Sequence, residues 1–344
     1  MHSDFRLNGE SYDRNQLLSF AVELNNSNQE YLNELGRFIF DWFSEEPDVV
    51  LQTSGSSGKA TQIFAPKSML YESARTTVNT FNLQPTHKAL ICLPVRHIAA
   101  KMMLIRAFLV GLWIDIIKPT SKPRVSKTYD FTAMTPHQLR NSLNQIDQHK
   151  QIIVGGAPVD DFLRDAVKGH RSRIFSTYGM TETYSHVAIQ NLSKGERYYT
   201  AIGDITFSTQ GDVLVVHAPQ IGIEKLVTTD CVELISSTKF LWKGRSDYVV
   251  NSGGIKLHPE HIEKALSAVI SVPFFVFPRP DKEYGQTLCI VFEGDMPNNI
   301  EKIISKIDTL SKYEKPKEYF VISQFVFNNG KILRNQTLES INFS

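Results

Sequence analysis

The sequence has few of the features that define several large protein classes. Its 344 residues include only three cysteines, Cys92, Cys231 and Cys289, with no CxxC pair, which argues against a disulfide framework and a cysteine-based zinc site. No run of about 18 apolar residues predicts a transmembrane helix, and the polar N-terminus lacks a secretory signal. With 37 basic and 36 acidic residues the net charge is +1, which does not favour a nucleic-acid partner or a membrane anchor. We therefore expect a cytoplasmic protein; the oligomeric state stays open.

The composition is that of a globular protein with a sizeable core. Hydrophobic residues make up 42% and charged residues 21% of the chain, and the length allows about two domains. In the first 200 residues, helical periodicity alternates with short runs typical of strands. The predicted helices cover 12–43, 67–81 and 99–112, and the predicted strands cover 48–52, 88–93, 111–117 and 151–154. This alternation predicts an α/β fold with an at least partly parallel sheet.

Shorter strands dominate the later part of the chain. Predicted strands lie at 212–216, 239–242, 248–250, 274–277, 287–292 and 318–322, with helices at 259–268 and 299–310. The portion after residue 255 is long enough to form a small α+β domain of its own.

The segment after the strand at 48–52 is rich in glycine and hydroxyl groups. It comprises Thr53, Ser54, Gly55, Ser56, Ser57 and Gly58. The backbone N–H and hydroxyl groups of such a loop can surround phosphate oxygens, and glycine permits close approach. The spacing is not that of the GxxxxGK[ST] motif, so a flexible surface loop is the alternative interpretation.

A second candidate segment contains Tyr178, Gly179, Met180, Thr181 and Glu182. Thr181 could contact a phosphate, Glu182 could bind a divalent metal, and Tyr178 could stack on a base. The alternative is a helix N-terminus capped by Thr181 with Glu182 in its first turn.

Two further segments have the pattern of hairpins. Residues 244–256 contain Arg245, Asp247 and the turn-forming pair Gly253 and Gly254, and residues 329–334 contain Lys331. Taken alone, each is a glycine-containing turn between short strands.

In chain order, these segments resemble the adenylate-forming superfamily of acyl-CoA and aryl-CoA synthetases, luciferases and peptide-synthetase adenylation domains. Four further segments match: Gly155, Gly156 and Ala157 in the adenine-side loop, the Thr229–Asp230 pair, 280–286 and 313–316. The resemblance implies a large layered α/β N-terminal domain, 1–246, and a small mobile α+β C-terminal domain, 247–344.

The chain departs from the family pattern at three points. Thr61 stands where the phosphate loop usually has a lysine, with Lys59 nearby, and Thr229 replaces a glycine. Only 52 residues precede the phosphate loop, so much of the first N-terminal subdomain is expected to be missing or reduced.

The resemblance also implies a mechanism and a set of roles. ATP and a carboxylic acid give an acyl-adenylate and pyrophosphate, and the thiol of coenzyme A then attacks the adenylate. Lys331 would bridge the carboxylate and the α-phosphate, while Glu182 would hold Mg²⁺. Asp230 and Arg245 would bind the ribose, Asp247 would be the hinge, and Gly253 and Gly254 would border the CoA channel.

The acid pocket is predicted around His97 and Lys101. His97 would lie beside the acid, and Lys101, in an otherwise apolar helix, would suit a second carboxylate. A helix-capping or core histidine and a solvated lysine are the alternatives. With 155–158 and 178–185, this segment most resembles the o-succinylbenzoate–CoA ligases of menaquinone biosynthesis, whose aromatic substrate has two carboxylates.

Two other functions remain open from the sequence. One is another aryl- or acyl-CoA ligase, or an enzyme that loads a carrier protein. The other is a degenerate binder of nucleotide or acyl ligand, against which Lys331, Glu182, Asp230 and Arg245 together argue. The absent GxxxxGK[ST] spacing disfavours a kinase or GTPase.

Overall fold

A computed structural model describes residues 1–52, 62–328 and 331–341. Its largest sheet has 13 strands in the order β12-β13-β14-β15-β11-β10-β9-β8-β7-β5-β6-β1-β2. These strands are β1 Arg6–Leu7, β2 Glu10–Ser11, β5 Lys88–Ile91, β6 Trp113–Ile116, β7 Tyr129–Met134, β8 His149–Val154, β9 Arg173–Gly179, β10 His186–Asn191, β11 Tyr199–Ala201, β12 Thr206–Gln210, β13 Val213–Ala218, β14 Ile223–Ser236 and β15 Lys239–Arg245. A separate two-stranded sheet pairs β3, Asp48–Gln52, with β4, Gln62–Pro66.

The large sheet is half parallel and half antiparallel. Strands β1, β6, β5, β7, β8 and β9 form five consecutive parallel pairs. The pairs from β9 through β10 to β12, and the terminal pair of β1 with β2, are antiparallel. The consecutive residues 89–91 of β5 and 152–154 of β8 are apolar and buried on both faces, as expected where helices cover a parallel sheet. The predicted α/β fold with a partly parallel sheet is confirmed.

Helices pack against this parallel half. They are α1 Arg14–Asn25, α2 Glu30–Phe43, α3 Lys67–Phe81, α4 Ile98–Val110, α5 Pro136–Asn141 and α6 Asp161–Ala166. Helix α4 is buried along most of its length, consistent with its apolar sequence on all sides. None of the helices in the described residues is long and apolar enough to span a bilayer.

The helical block predicted at 12–43 is in fact two helices. Asp13 begins α1 with a reciprocal capping box to Gln16, and the polar segment 26–29 separates it from α2. The amide of Asn33 donates to the carbonyl of Asn25 at 2.6 Å, so a side chain of the second helix satisfies a free carbonyl at the end of the first.

The last part of the chain forms its own sheet and core. Strands β16 Val250–Ser252, β17 Ile255–Leu257, β18 Phe274–Asp281, β19 Gly285–Glu293 and β20 Glu318–Ile322 form five strands in the order β17-β16-β19-β18, with β20 parallel to β19. They are followed by the hairpin β21 Phe327–Asn328 and β22 Lys331–Ile332, and the helices here are α7 Pro259–Leu266, α8 Ile300–Ser305 and α9 Arg334–Glu339. The helix predicted at 299–310 is therefore shorter, and the strand predicted at 248–250 begins only at Val250.

Several contacts join this part to the large sheet. Lys256 pairs with Asp212 at 2.5 Å and Lys264 with Asp161 at 3.2 Å, and Arg245 N–H donates to Glu260 at 3.3 Å. The boundary at 246/247 and the mobility of the C-terminal part stay predictions.

Candidate active site

The carboxyl ends of the parallel strands meet at one edge of the sheet. Strands β7, β8 and β9 run parallel and adjacent, so the residues that follow them lie side by side. Gly155 N–H donates to Met134 O at 3.1 Å, and a Cβ on Gly155 would lie 2.5 Å from Thr177 Oγ1. The predicted adenine-side loop, with Gly156 and Ala157, therefore follows β8 tightly beside β9. Crevices at this edge are the usual ligand sites of open α/β sheets.

One buried carboxylate joins the two halves of the sheet at this edge. Asp230 is 7% exposed; its Oδ2 accepts from the Tyr178 hydroxyl at 2.6 Å and its Oδ1 from Trp242 Nε1 at 2.9 Å. Tyr178 belongs to β9 and Asp230 to β14, with three strands between them in the sheet order. The antiparallel half must therefore curl over until these side chains touch.

Tyr178 is held by this contact and by its aromatic neighbours. Its ring lies 5.1 Å from the ring of Phe240 and 5.8 Å from that of Tyr199. Burial, and then the charge of Asp230, raises the pKa of Tyr178 well above its ordinary value, so the hydroxyl is a donor at neutral pH. The predicted stacking of this ring on a base stays a prediction.

Arg245 lies directly opposite Asp230, on β15. Its guanidinium donates to Asp247 at 2.6 Å. Burial alone would lower the pKa of Arg245, but the Asp247 carboxylate keeps this pKa above its ordinary value. Arg245, predicted to bind ribose, thus forms an ion pair with Asp247, the predicted hinge. Both roles stay predictions.

The segment after Tyr178 is a turn and does not begin an α-helix. Thr181–Thr183 forms one 3₁₀ turn, and the Thr183 hydroxyl closes it by accepting from Met180 N at 3.0 Å and donating to Ser185 O at 2.7 Å. A Cβ on Gly179 would lie 2.3 Å from Ser185 O. The alternative of an α-helix capped by Thr181 is wrong, because the backbone turns back at once into β10.

Glu182, in this turn, is exposed. In 1–52, 62–328 and 331–341, no group of three or more His, Cys, Asp or Glu side chains could hold a metal, and Glu182 has no ion-pair partner there. Mg²⁺ is usually bound by one or two carboxylates together with substrate phosphates and waters. The exposed Glu182 carboxylate therefore suits such an ion, and its predicted role as the Mg²⁺ ligand stays a prediction.

The two residues predicted in the acid pocket lie at the start of α4. His97 is the N-cap residue of α4, as the capping alternative places it, but its side chain makes no capping bond. Burial, and then Arg96, lowers the pKa of His97. Lys101 Nζ donates to Val50 O at 3.2 Å and lies 5.6 Å from the Phe38 ring centroid; the solvated alternative is therefore wrong for this half-buried lysine.

Arg106, which sequence reasoning did not single out, is a deeply buried cation further along α4. It is 1% exposed and donates to Thr77 Oγ1 at 3.2 Å and Ser185 Oγ at 3.0 Å. No carboxylate pairs with it in the described part of the chain, and its Nε has no partner there. Burial lowers its pKa to about 9. One signal in the sequence could have indicated this buried cation: it is a single arginine within the otherwise apolar run 102–108.

His186 faces the same cation. It is 7% exposed and its Nε2 lies 3.4 Å from Thr77 Oγ1. Burial, and then the charge of Arg106, lowers its pKa to about 3. The imidazole is therefore neutral at pH 7 and cannot compete for an anion.

The remaining predicted residues are placed only in part. Thr53, Ser54, Gly55, Ser56, Ser57 and Gly58 lie outside the described residues, as do Lys59 and Thr61. The hairpin predicted around Lys331 is confirmed by the pairing of Asn328 with Lys331. Gly253 and Gly254 form the turn between β16 and β17 with φ of 59° and 82°. Their proposed contact with CoA is not tested.

The fold and this edge of the sheet define a nucleotide-binding α/β enzyme. Residues 37–218 match the family described as AMP-binding enzyme, and the chain belongs to that family. The resemblance drawn from the motifs and the adenylate-forming fold are thereby confirmed.

Curated relatives are similar along most of the chain. The 2-succinylbenzoate–CoA ligase of Haemophilus influenzae is 22% identical over 317 residues, covering 84% of this chain and 70% of that protein. The 2-succinylbenzoate–CoA ligase of Bacillus subtilis is 21% identical, covering 83% and 68%.

Solved structures with a similar fold also cover most of this chain. An acyl-CoA synthetase (AMP-forming)/AMP-acid ligase II-like protein of Dyadobacter fermentans is 30% identical with a TM-score of 0.61, covering 93% of this chain and 97% of that one. The B. subtilis o-succinylbenzoate CoA synthetase, solved with the acyl-adenylate OSB-AMP, is 19% identical with a TM-score of 0.75, covering 86% and 70%.

The two donors to Asp230 generate a prediction. Tyr178→Phe and Trp242→Phe each remove one hydrogen bond to a buried charge, which contributes about 1.5–3 kcal/mol. We expect each variant to weaken AMP binding by about tenfold or more, measured by titration calorimetry. Tyr198→Phe is the matched control, because its ring contacts Lys239 and its hydroxyl has no hydrogen bond to a described residue. Equal affinities for AMP in all three variants would show that the Asp230 carboxylate is not part of a nucleotide site.

Proposed function

We propose that this protein is an AMP-forming acid–thiol ligase, which adenylates a carboxylic acid with ATP and transfers the acyl group to coenzyme A. The observation that carries the proposal is the buried Asp230 carboxylate at the carboxyl edge of the parallel strands, with Arg245 opposite it and the Thr181–Thr183 turn beside it. Membership of the AMP-binding enzyme family supports it.

Asp230 would hold the ribose. A carboxylate can accept about four hydrogen bonds, and Tyr178 and Trp242 use two of them. The remaining lone pairs can accept from two ribose hydroxyls, and Arg245 would assist. Because the two protein donors already fix the orientation of the carboxylate, nucleotide binding would cost little reorganisation. Gly155, Gly156 and Ala157 would border the adenine.

The phosphates would lie between the segment 53–58 and the turn that contains Thr181 and Glu182. Glu182 would hold Mg²⁺, which, when bound, screens the phosphates and stabilises the leaving pyrophosphate. The Thr181 hydroxyl can donate to a phosphate oxygen. Each contribution opposes the repulsion between a carboxylate nucleophile and the α-phosphate, which is the main barrier to adenylation.

The acid would have two carboxylates. A guanidinium buried without an anion costs free energy that an incoming carboxylate recovers. Arg106, with Ser185 and Thr77 as neighbouring hydroxyls, would bind the carboxylate that is not activated. Lys101 is the other candidate, but its ammonium already donates to Val50 O. An aryl diacid such as o-succinylbenzoate, the substrate named for the curated relatives, fits this arrangement.

Lys331 would supply the charge at the reacting carboxylate. A lysine can bridge the attacking oxygen and the α-phosphate, and its charge becomes more valuable as negative charge shifts in the transition state. For the second half-reaction, a rotation at Asp247 would withdraw Lys331 and bring Gly253 and Gly254 beside the thiol arm. ATP, coenzyme A and three free, buried cysteines suit a reducing cytoplasm.

Product formation tests the proposal. The protein is incubated with ATP, Mg²⁺, coenzyme A and, in separate reactions, o-succinylbenzoate, benzoate, succinate or a medium-chain fatty acid, and the products are identified by mass spectrometry. We expect o-succinylbenzoyl-CoA with equal amounts of AMP and pyrophosphate. A thioester of another acid would keep the reaction and reject the substrate, whereas no thioester and no AMP with any acid would contradict the proposal.

A pair of variants separates the two cations of the acid pocket. Arg106→Met removes the charge while filling the space, and Lys101→Met does the same at the other position. Since hydrogen bonds to charged groups contribute about 1.5–3 kcal/mol, we expect Arg106→Met to lower the ratio of kcat/KM for o-succinylbenzoate over benzoate at least about tenfold. Lys101→Met should change this ratio less than about twofold. The reverse order of effects would assign the second carboxylate to Lys101.

A further inference from the structure

Arg334, the first residue of α9, lies between three elements of the C-terminal part. Its Nη2 donates to Glu263 Oε2 on α7 at 2.7 Å and its Nη1 to Val276 O on β18 at 3.3 Å. The guanidinium lies 4.6 Å from the ring centroid of Tyr248 and 5.4 Å from that of Phe275. The side chains of Arg334 and Glu263 are only 15% and 18% exposed.

We propose that the Glu263–Arg334 pair is a positioning device for Lys331. It anchors the β21–β22 hairpin against α7 and against the turn at Tyr248, so that the lysine is presented in the geometry that adenylation needs. This inference rests on the proposed function for the role of Lys331, whereas the anchoring itself does not.

The path from the ion pair to the lysine is short. Arg334 lies three positions after Lys331, a distance of at most about 11 Å along an extended chain. Backbone and side-chain bonds close the base of the hairpin: Leu333 N donates to Val326 O at 2.8 Å, and Val326 N donates to Thr337 Oγ1 at 3.0 Å. A shift of α9 would therefore move the hairpin with it.

The Glu263 carboxylate is hydrogen-bonded through both of its oxygens. The second oxygen of Glu263 accepts from Val276 N at 2.7 Å, so both oxygens of the carboxylate are used. Burial raises the pKa of Glu263 to about 7, and the charge of Arg334 opposes that rise. Removing either partner leaves a buried charge without compensation, which costs more than the pair contributes. Removal of either Glu263 or Arg334 is therefore expected to release the whole anchor.

The contact with Tyr248 links this anchor to the proposed hinge. Tyr248 directly follows Asp247, which pairs with Arg245 at 2.6 Å. The cation–π contact places Arg334 against the backbone turn Ser246–Tyr248. The same guanidinium thus contacts the residue after the proposed hinge, whereas its hydrogen bonds to Glu263 and Val276 fix the helix that follows the lysine hairpin.

Hydrogen–deuterium exchange tests the anchoring without any substrate. Arg334→Gln and Glu263→Gln should raise the exchange rates of backbone amides in 326–338 at least about tenfold. Arg279→Gln is the matched control, because it breaks the Arg279–Glu318 ion pair between β18 and β20, outside 326–338. Unchanged exchange in both test variants, or the same increase in the control, would overturn the anchoring.

The two half-reactions test the positioning role. In Arg334→Gln we expect kcat for ATP–pyrophosphate exchange to fall at least about tenfold with KM for ATP within about threefold, because an interaction made in the transition state is lost. Thioester formation from supplied acyl-adenylate should stay within about twofold of the wild type. Arg334→Lys, which keeps the charge, should recover part of the exchange rate, and Arg279→Gln should retain both activities.

Different failures are distinguishable in this design. Equal loss of both half-reactions in Arg334→Gln, or full exchange activity, would overturn the positioning role. Lys331→Ala is the reference: if it retains adenylation, the proposed role of Lys331 is wrong and the positioning proposal falls with it. If the wild type adenylates no acid while the exchange of 326–338 responds as expected, the anchor is supported and the proposed function is overturned.

Discussion

The site depends on the burial of one carboxylate between donors from distant parts of the chain. A carboxylate with the low exposure of Asp230 is costly unless it is hydrogen-bonded, and Tyr178 and Trp242 supply both bonds. Tyr178 can reach it only if the antiparallel strands curl back over the end of β9, whereas Trp242 lies on the neighbouring strand β15. The same contact therefore fixes the shape of the sheet and the orientation of a group that can bind ribose.

Buried charge recurs at the other two places where chemistry is proposed, with opposite consequences. Arg106 is buried without an anionic partner among the described residues, so it favours a ligand that brings one. Arg334 is buried with Glu263 and contacts β18 and the turn at Tyr248, so it favours one arrangement of the chain. An unpaired buried cation suits recognition, whereas a fully paired one suits positioning.

Local patterns predicted the elements well and the contacts poorly. The bounds of α3, β3 and β20 follow from periodicity over 67–81, 48–52 and 318–322, and the motif segments located Asp230 and Arg245. The break between α1 and α2 was missed because it depends on a few polar residues between two apolar repeats. Trp242 was missed because its bond to Asp230 depends on the pairing of β14 with β15, and Arg106 because its partners Thr77 and Ser185 are far away in sequence.

A crystal structure with a bound o-succinylbenzoyl-adenylate tests the central claim most directly. The account predicts both ribose hydroxyls about 2.5–3.0 Å from the Asp230 oxygens, with the bonds from Tyr178 and Trp242 retained, and the free carboxylate of the ligand beside Arg106. A ribose bound elsewhere, or a free carboxylate that points away from Arg106 into solvent, would contradict it.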